Sequence, residues 1–169
     1  MRRAVEDADA FAELYRAHCV AITRYVQRRV GRTDVADDLV AETFTIALES
    51  LGAYRWRGLP FRSWLYRLAS TAIHRWLRRD RYRQVDALED DPPSAIQPPN
   101  EAAELARQVL LTLPARYQTA LALHYLEGMS VEEVAAVTGV RSGTVKSQLS
   151  RGREMLRTRL RPHAAELFR

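Results

Sequence analysis

Cysteine is almost absent from this chain of 169 residues, because Cys19 is the only one. No disulfide can form within the chain, which fits the reducing environment of the cytoplasm. The first residues lack the apolar core of a signal peptide, and no apolar run approaches the length that spans a membrane. We therefore expect a cytoplasmic protein with no membrane insertion.

Lysine is equally rare, since Lys146 is the only one among 26 basic residues. The formal net charge of +5 favours a polyanionic partner, either nucleic acid or a membrane surface. Arginine makes forked contacts with phosphate and guanine, although a GC-rich genome would enrich arginine just as well. The histidines are scattered, and His18 beside Cys19 does not have the spacing of metal ligands. We predict no metal, no cofactor and no catalytic residue, and hence no enzyme.

Strand patterns and internal repeats are also missing, whereas helical periodicity runs through most of the chain. The predicted fold class is all-α, with two small helical domains over residues 1–83 and 101–169. Residues 84–100 are predicted to form a linker, because they contain four prolines and the acidic run Glu89, Asp90 and Asp91. Proline favours extended chain over helix, so this segment should separate two folding units.

Three helices are predicted in the first domain. The first covers Ala10–Val30 and ends at Gly31, and the second runs from an N-cap at Asp34 to about Ser50. Side chains at helical spacing give the second helix an acidic stripe on its outer side: Asp38, Glu42, Thr45 and Glu49. This stripe is either a solvated face or a docking surface for a basic partner.

The third helix, Phe61–Arg81, follows a loop in which aromatic residues alternate with arginines. Such a loop suits a site where bases stack and phosphates are held, although Trp56 could instead fold into the core. One side of the helix, from Phe61 to Leu77, is apolar and is predicted core. The other side is polar and basic: Arg67, Ser70, Thr71, His74, Arg75 and Arg78, with Arg79 and Arg81 beyond. A basic helix face beside an aromatic loop indicates nucleic-acid binding more strongly than either feature alone.

The segment Ser130–Leu160 is predicted to be a helix-turn-helix. Ser130 and Glu133 form a capping-box pattern, Gly139 should end the first helix, and Ser142 should cap the second. The outer side of the second helix offers Thr144, Ser147, Gln148 and Arg151 to base edges, while Arg141, Lys146 and Arg153 suit phosphates. An ordinary helical hairpin with a solvated face is the alternative.

The chain resembles the extracytoplasmic-function (ECF) sigma factors of the sigma-70 family. The resemblance covers about Phe11–Leu160 and rests on four segments: DLVAETFTIAL at Asp38–Leu48, FRSWLYRLA at Phe61–Ala69, LRR at Leu77–Arg79, and LPARYQTALALHYLEGMSVEEVAAVTGVRSGTVKSQLSRGREMLR at Leu113–Arg157. It implies a dissociable subunit of RNA polymerase, commonly held by an anti-sigma factor. The first domain would bind the β′ clamp helices and open the −10 element of promoter DNA. The second would bind the −35 element and the β flap, and the linker would either approach the RNA exit path or act as a solvated spacer.

The resemblance also implies which residues form each functional surface. Polymerase binding is assigned to the acids Asp38 and Glu42 and to the apolar contacts Leu39 and Leu48. The −10 surface comprises Tyr54, Arg55, Trp56, Arg57, Phe61, Arg67, Thr71, His74, Arg75, Arg78 and Arg79. The −35 surface comprises Arg141, Ser142, Thr144, Lys146, Ser147, Gln148, Arg151 and Arg153.

Three other classes of protein share some of these features. A response-regulator effector has a similar C-terminal helix-turn-helix, but it would need strand patterns in the N-terminal half. A nuclease would show metal-dependent cleavage of nucleic acid. A pure interaction protein would bind polymerase without DNA and would fail to support run-off transcription.

Overall fold

The structure is a computed structural model that describes residues 8–51, 54, 60–86 and 101–163. Every regular element within these ranges is helical. The chain divides into two compact units, Met1–Ser94 and Ala95–Arg169, called here the first and the second unit. The prediction of an all-α fold with two helical domains is confirmed. Most of the predicted linker, residues 87–100 with Glu89, Asp90 and Asp91, lies outside the described residues.

Three helices form the first unit: α1 (Ala8–Val30), α2 (Thr33–Ser50) and α3 (Phe61–Asp86). Each of them packs against the other two. Gly31 separates α1 from α2 with a left-handed φ of 73°, a conformation that glycine adopts at little cost. Its N–H donates to the Gln27 carbonyl at 3.0 Å, which closes the last turn of α1 as expected.

The start of α2 differs from the prediction, because Arg32 and not Asp34 is the N-cap residue. Asp34 lies inside the first turn, where its carboxylate accepts a hydrogen bond from Arg32 Nη2 at 2.9 Å. That hydrogen bond lowers the pKa of Asp34. A negative charge in the first turn of a helix is favourable, so the acid stabilises the N-terminus without capping it.

The end of α3 also differs from the prediction. We expected the helix to end at Arg81 and the linker to begin at Gln84, but the helix continues to Asp86. The linker prolines begin only at Pro92. Nothing in Gln84–Asp86 removes a backbone donor or blocks the helical conformation, so the helix extends into the segment predicted to be linker.

The core of the first unit lies where the apolar sides of its three helices meet. Its fully or nearly fully buried members include Ile22, Tyr25 and Val26 from α1, Leu39, Val40, Phe44 and Ala47 from α2, and Leu65, Ala69, Ala72 and Ile73 from α3. The predicted apolar stripe of α3 is therefore confirmed along its centre. Its flanking members, among them Trp64 and Trp76, are only half-buried.

The second unit contains α4 (Glu101–Leu111), α5 (Ala115–Leu121), α6 (Val131–Thr138) and α7 (Ser142–Leu160). A π-helical turn, Ala122–Leu126, continues α5, and a short 3-10 turn, Arg161–His163, follows α7. Pro114 occupies the N-cap position of α5. A proline fits there because its missing N–H has no helical partner to lose.

Gly152 allows α7 to approach α5 closely. A Cβ atom at Gly152 would lie 3.0 Å from Leu121 Cδ1 and 3.2 Å from Leu121 Cγ. Val145 and Leu149 are buried on the same side of α7. The buried stripe of this helix therefore consists of Val145, Leu149 and Gly152, and it determines which side of α7 faces the solvent.

Candidate nucleic-acid interface

Local capping interactions define both ends of α6. Ser130 Oγ accepts from the Glu133 N–H at 3.1 Å, and Glu133 Oε2 accepts from the Ser130 N–H at 2.9 Å. Gly139 then ends α6 with a left-handed φ of 73°. Both features match the prediction: the capping box starts α6, and the left-handed Gly139 ends it before the turn into α7.

The predicted N-cap of α7 is wrong by one residue. Arg141 is the N-cap, with no side-chain capping hydrogen bond, and Ser142 is the first residue of the helix. The N–H groups of Thr144 and Val145 donate to the Arg141 carbonyl at 2.8 and 3.1 Å. The helix is therefore started by its backbone, and the Arg141 side chain is exposed at its N-terminus.

The outer side of α7 presents the residues predicted to read DNA. Thr144, Ser147 and Arg151 are exposed and Gln148 is half-buried, and their spacing places all four on one face. The Ser147 hydroxyl donates to the Thr144 carbonyl at 2.8 Å, which leaves the oxygen lone pairs free to accept. The predicted phosphate-binding residues Lys146 and Arg153 are also exposed, but helical spacing places them on a different side of α7, and Ser142 is half-buried. The structure thus gathers Thr144, Ser147, Gln148 and Arg151 on one face of α7, and the assignment of the whole −35 surface stays a prediction.

One neighbour of this face was missed by the sequence analysis. Arg116 lies with its guanidinium carbon 4.6 Å from the centre of the Tyr117 ring and donates to the Tyr117 hydroxyl at 3.1 Å. This hydrogen bond, followed by a second one from Arg151, lowers the pKa of Tyr117. The sequence does show an arginine next to an aromatic residue at Arg116 and Tyr117. Only the packing of α5 on α7 brings these two residues to Arg151.

The polar side of α3 carries the residues predicted for the −10 surface. Arg67, Thr71, Arg78 and Arg79 are exposed, whereas His74 and Arg75 are half-buried. The Thr71 hydroxyl donates to the Arg67 carbonyl at 2.9 Å, as is common in helices. The exposed members therefore form a basic helix face, and the two residues at its centre, His74 and Arg75, are partly buried.

His74 adjoins a buried polar cluster that the sequence did not predict. Arg29 of α1 is completely buried, and burial lowers the pKa of its guanidinium. The Tyr25 hydroxyl lies 2.8 Å from Ser70 Oγ across the α1–α3 contact. Burial lowers the pKa of His74, and the nearby charges of Arg29 and Arg78 lower it further. We infer that His74 is neutral at pH 7 and adds no positive charge to the basic face.

Arg75 is engaged by the acidic stripe of α2. Its Nη1 atom donates to Glu42 Oε1 at 2.5 Å. The two residues are separated by 33 positions in the sequence, and each had been assigned to a different partner. The contact joins the face predicted to bind polymerase to the face predicted to bind DNA.

The aromatic loop before α3 is described only at its ends. Arg55, Trp56 and Arg57 lie outside the described residues. Tyr54 is half-buried, and its ring centre lies 4.9 Å from that of Trp64 and 5.6 Å from that of Phe61. Burial raises the pKa of Tyr54. Phe61, predicted to help capture a base, therefore stands in an aromatic cluster with Tyr54 and Trp64, and Trp64 was predicted only as core.

The predicted polymerase-binding residues on α2 divide into exposed and buried members. Asp38 is exposed, Glu42 is half-buried, and Leu48 is 53% exposed. Leu39 is only 6% exposed because it packs in the core of the first unit, so it offers little surface to a partner, and its assignment as an apolar contact stays a prediction. Leu48 can serve that role, since it lies on the solvent side of the same helix.

Metal-ligand groups of three or more His, Cys, Asp or Glu side chains do not occur among the described residues. Within the same residues, no helix is both long enough and apolar enough to cross a membrane.

Comparison with known proteins gives two family models that match successive parts of the chain. The model described as Sigma-70 region 2 matches residues 14–83. The model described as Sigma-70, region 4 matches residues 103–156. The first match contains α2 and the described polar side chains of α3, and the second contains the helix-turn-helix.

Whole-chain relatives agree with these models. The ECF RNA polymerase sigma factor SigE of Mycolicibacterium smegmatis is 32% identical over 91% of this chain, which spans only 63% of that relative. The ECF RNA polymerase sigma-E factor of Haemophilus influenzae is 31% identical, with 92% of this chain and 90% of the relative covered. The sigma factor RpoE of Bartonella quintana, solved in complex with the anti-sigma factor NepR, has a similar fold, with a TM-score of 0.76 at 24% identity over 90% of this chain and 97% of that one.

Proposed function

The chain belongs to the ECF RNA polymerase sigma factors of the sigma-70 family, and from this premise we propose that it binds core RNA polymerase and directs it to promoter DNA. It would act as a transcription initiation factor in the cytoplasm, and not as an enzyme. The observation that supports this best is the outer face of α7, where Thr144, Ser147 and Arg151 are exposed above a buried stripe. A helix presented in this way fits the major groove of DNA.

Within this function the second unit takes the −35 element. Arg151 offers a fork that can bind guanine O6 and N7, and Gln148 can pair with adenine. Lys146 and Arg153 are exposed on another side of α7, where they would hold phosphates and set the register without reading sequence.

The first unit takes the −10 element on the basic side of α3. Exposed arginines such as Arg67, Arg78 and Arg79 would hold the phosphates of the opened strand. Tyr54 and Phe61 form one edge of an aromatic cluster beside this side, and aromatic rings offset the cost of unstacking a base. Opening the duplex in this way needs binding energy and no covalent chemistry.

Core polymerase would dock on α2 through its acidic and apolar surface. Asp38 and Leu48 are exposed there, and Glu42 is partly exposed. A basic partner surface with a hydrophobic patch would match these groups. We further propose control by an anti-sigma factor, because the Bartonella quintana protein was solved in complex with one. The test of this control is inhibition of transcription by a purified protein that forms a stoichiometric complex with the chain.

Run-off transcription with purified core polymerase and a library of randomised promoters tests the central proposal. We expect transcripts from a subset of templates whose promoters share two sequence elements, separated by a spacer of similar length. Arg151→Ala should change the selected upstream element. Arg157→Ala is the matched control, because Arg157 is another exposed arginine of α7, with its Nη1 atom 3.7 Å from Glu154 Oε2. A chain that binds polymerase but starts no transcript from any template would instead be a pure interaction protein.

A further inference from the structure

Two residues that the proposed function assigns to different partners bind each other in the free protein. The guanidinium of Arg75 on α3 and the carboxylate of Glu42 on α2 form an ion pair with an N–O distance of 2.5 Å. Their side chains are 40% and 36% exposed. Partners in solution can therefore reach both groups while the pair is intact.

The ion pair reduces the charge of both surfaces. On α2, Asp38 lies one helical turn before Glu42 and is exposed, so the pair neutralises one of two neighbouring acids. On α3, Arg75 lies between exposed arginines, and His74 beside it has a lowered pKa because of its burial and the nearby Arg29 and Arg78. Glu42 therefore neutralises the positive charge of Arg75 at the centre of the basic face. The lowered pKa of His74 disfavours a positive charge at the neighbouring position.

We propose that the Arg75–Glu42 ion pair couples polymerase binding to DNA binding. A basic polymerase surface that takes the Glu42 carboxylate releases the Arg75 guanidinium, which then binds a phosphate of the opened DNA strand. The reverse also holds, since a thermodynamic coupling is reciprocal: DNA that engages Arg75 strengthens polymerase binding at Glu42. This inference rests on the proposed function, which supplies the two partners.

The expected coupling is modest because both side chains are partly exposed. Ion pairs of this kind contribute little in water, and exchanging one for another should change each affinity by about two- to five-fold. Such a change is measurable at low ionic strength and should shrink as salt screens the charges.

The first measurement is the affinity of the full chain for core polymerase. Arg75→Gln should bind about two- to five-fold more tightly than the native chain, because Glu42 no longer has an internal partner. Arg24→Gln is the matched control, since it removes the same charge from an exposed arginine of α1. Arg75→Lys keeps the charge but loses the fork, and it should bind with an affinity between those of the native chain and Arg75→Gln.

The second measurement uses the free protein and a single-stranded oligonucleotide, with no polymerase present. Glu42→Gln should bind the oligonucleotide about two- to five-fold more tightly than Glu13→Gln, a control that removes an exposed carboxylate from α1. The gain should disappear when Glu42→Gln is combined with Arg75→Gln. Circular dichroism should show unchanged helical content in each variant.

The outcomes separate this coupling from the function on which it rests. Polymerase binding by Arg75→Gln that is weaker than that of the native chain would mean that Arg75 holds Glu42 in its binding position. If Arg75→Gln binds polymerase with the same affinity as Arg24→Gln, the two sites are not coupled. Either result overturns the proposal. Absence of polymerase binding in the native chain would refute the proposed function instead. The oligonucleotide measurement would still decide whether Glu42 withholds Arg75 from nucleic acid.

Discussion

The close approach of α7 to α5 at Gly152 can be tested with a single methyl group. In Gly152→Ala the new Cβ would lie 3.0 Å from Leu121 Cδ1 and 3.2 Å from Leu121 Cγ. Leu121 is 3% exposed and belongs to the core of the second unit, so it has little room to move. Overpacking of this kind costs about 1–3 kcal/mol, whereas alanine in place of glycine gains up to about 1 kcal/mol in a helix.

Gly143→Ala provides the matched control in the same helix. A Cβ atom at Gly143 would have no neighbour within 4 Å, so only the helix-propensity gain remains. The difference between the two variants largely cancels that gain and isolates the steric cost. We expect Gly152→Ala to be less stable than Gly143→Ala by about 1–3 kcal/mol. In a domain of this size each kcal/mol lowers Tm by about 4–8 °C.

Urea denaturation of the full chain can report each unit separately. All three tryptophans, Trp56, Trp64 and Trp76, belong to the first unit, so their fluorescence follows only that unit. Circular dichroism at 222 nm follows the helices of both units. Gly152→Ala should shift the circular-dichroism transition and leave the fluorescence transition unchanged. Equal stability of Gly152→Ala and Gly143→Ala would refute the close approach of α7 to α5.

Further predictions concern the proposed interfaces and the pH dependence. Arg151→Ala should cost about 1–3 kcal/mol in binding and relax preference at one −35 position, measured by competition among mutated duplexes. Lys146→Ala should weaken binding to all sequences alike and reduce the salt slope by about one unit, and a sequence-dependent loss would contradict a phosphate contact. Asp38→Arg should weaken polymerase binding with unchanged helical content; intact binding would mean that the acidic stripe is only solvated. Because burial lowers the pKa of His74 in the folded chain, this imidazole is protonated at a higher pH in the unfolded chain, as the pH falls through about 6.5. The free energy of unfolding should therefore decrease as the pH falls. Tryptophan-detected unfolding at about pH 7.5 and about pH 5.5 should show this decrease, smaller in His74→Gln, while His18, whose pKa is also lowered, retains its share.

Local signals in the sequence determined the helices, several of their ends and the helix-turn-helix. The capping box at Ser130 and Glu133 and the left-handed glycines Gly31 and Gly139 appear in the structure as expected, because these interactions join residues at most a few positions apart. The outer face of α7 was also predictable, since helical periodicity alone separates Thr144 and Arg151 from Val145. The exact N-caps were missed, because the side chains of Asp34 and Ser142 could cap but lie inside the first turn of each helix.

Tertiary structure decided which of the predicted surface groups remain available to a partner. Periodicity places Glu42 on the outer side of α2 and Arg75 on the polar side of α3, but only the packing of the two helices joins them. Packing of the three helices of the first unit buries Leu39 and Arg29, and the segment before α3 brings Tyr54 to Trp64. In the second unit, the contact of α5 with α7 brings Tyr117 and Arg116 to Arg151. A residue pattern fixes the direction of a side chain on its own helix, whereas its partners depend on contacts between segments that lie far apart in the sequence.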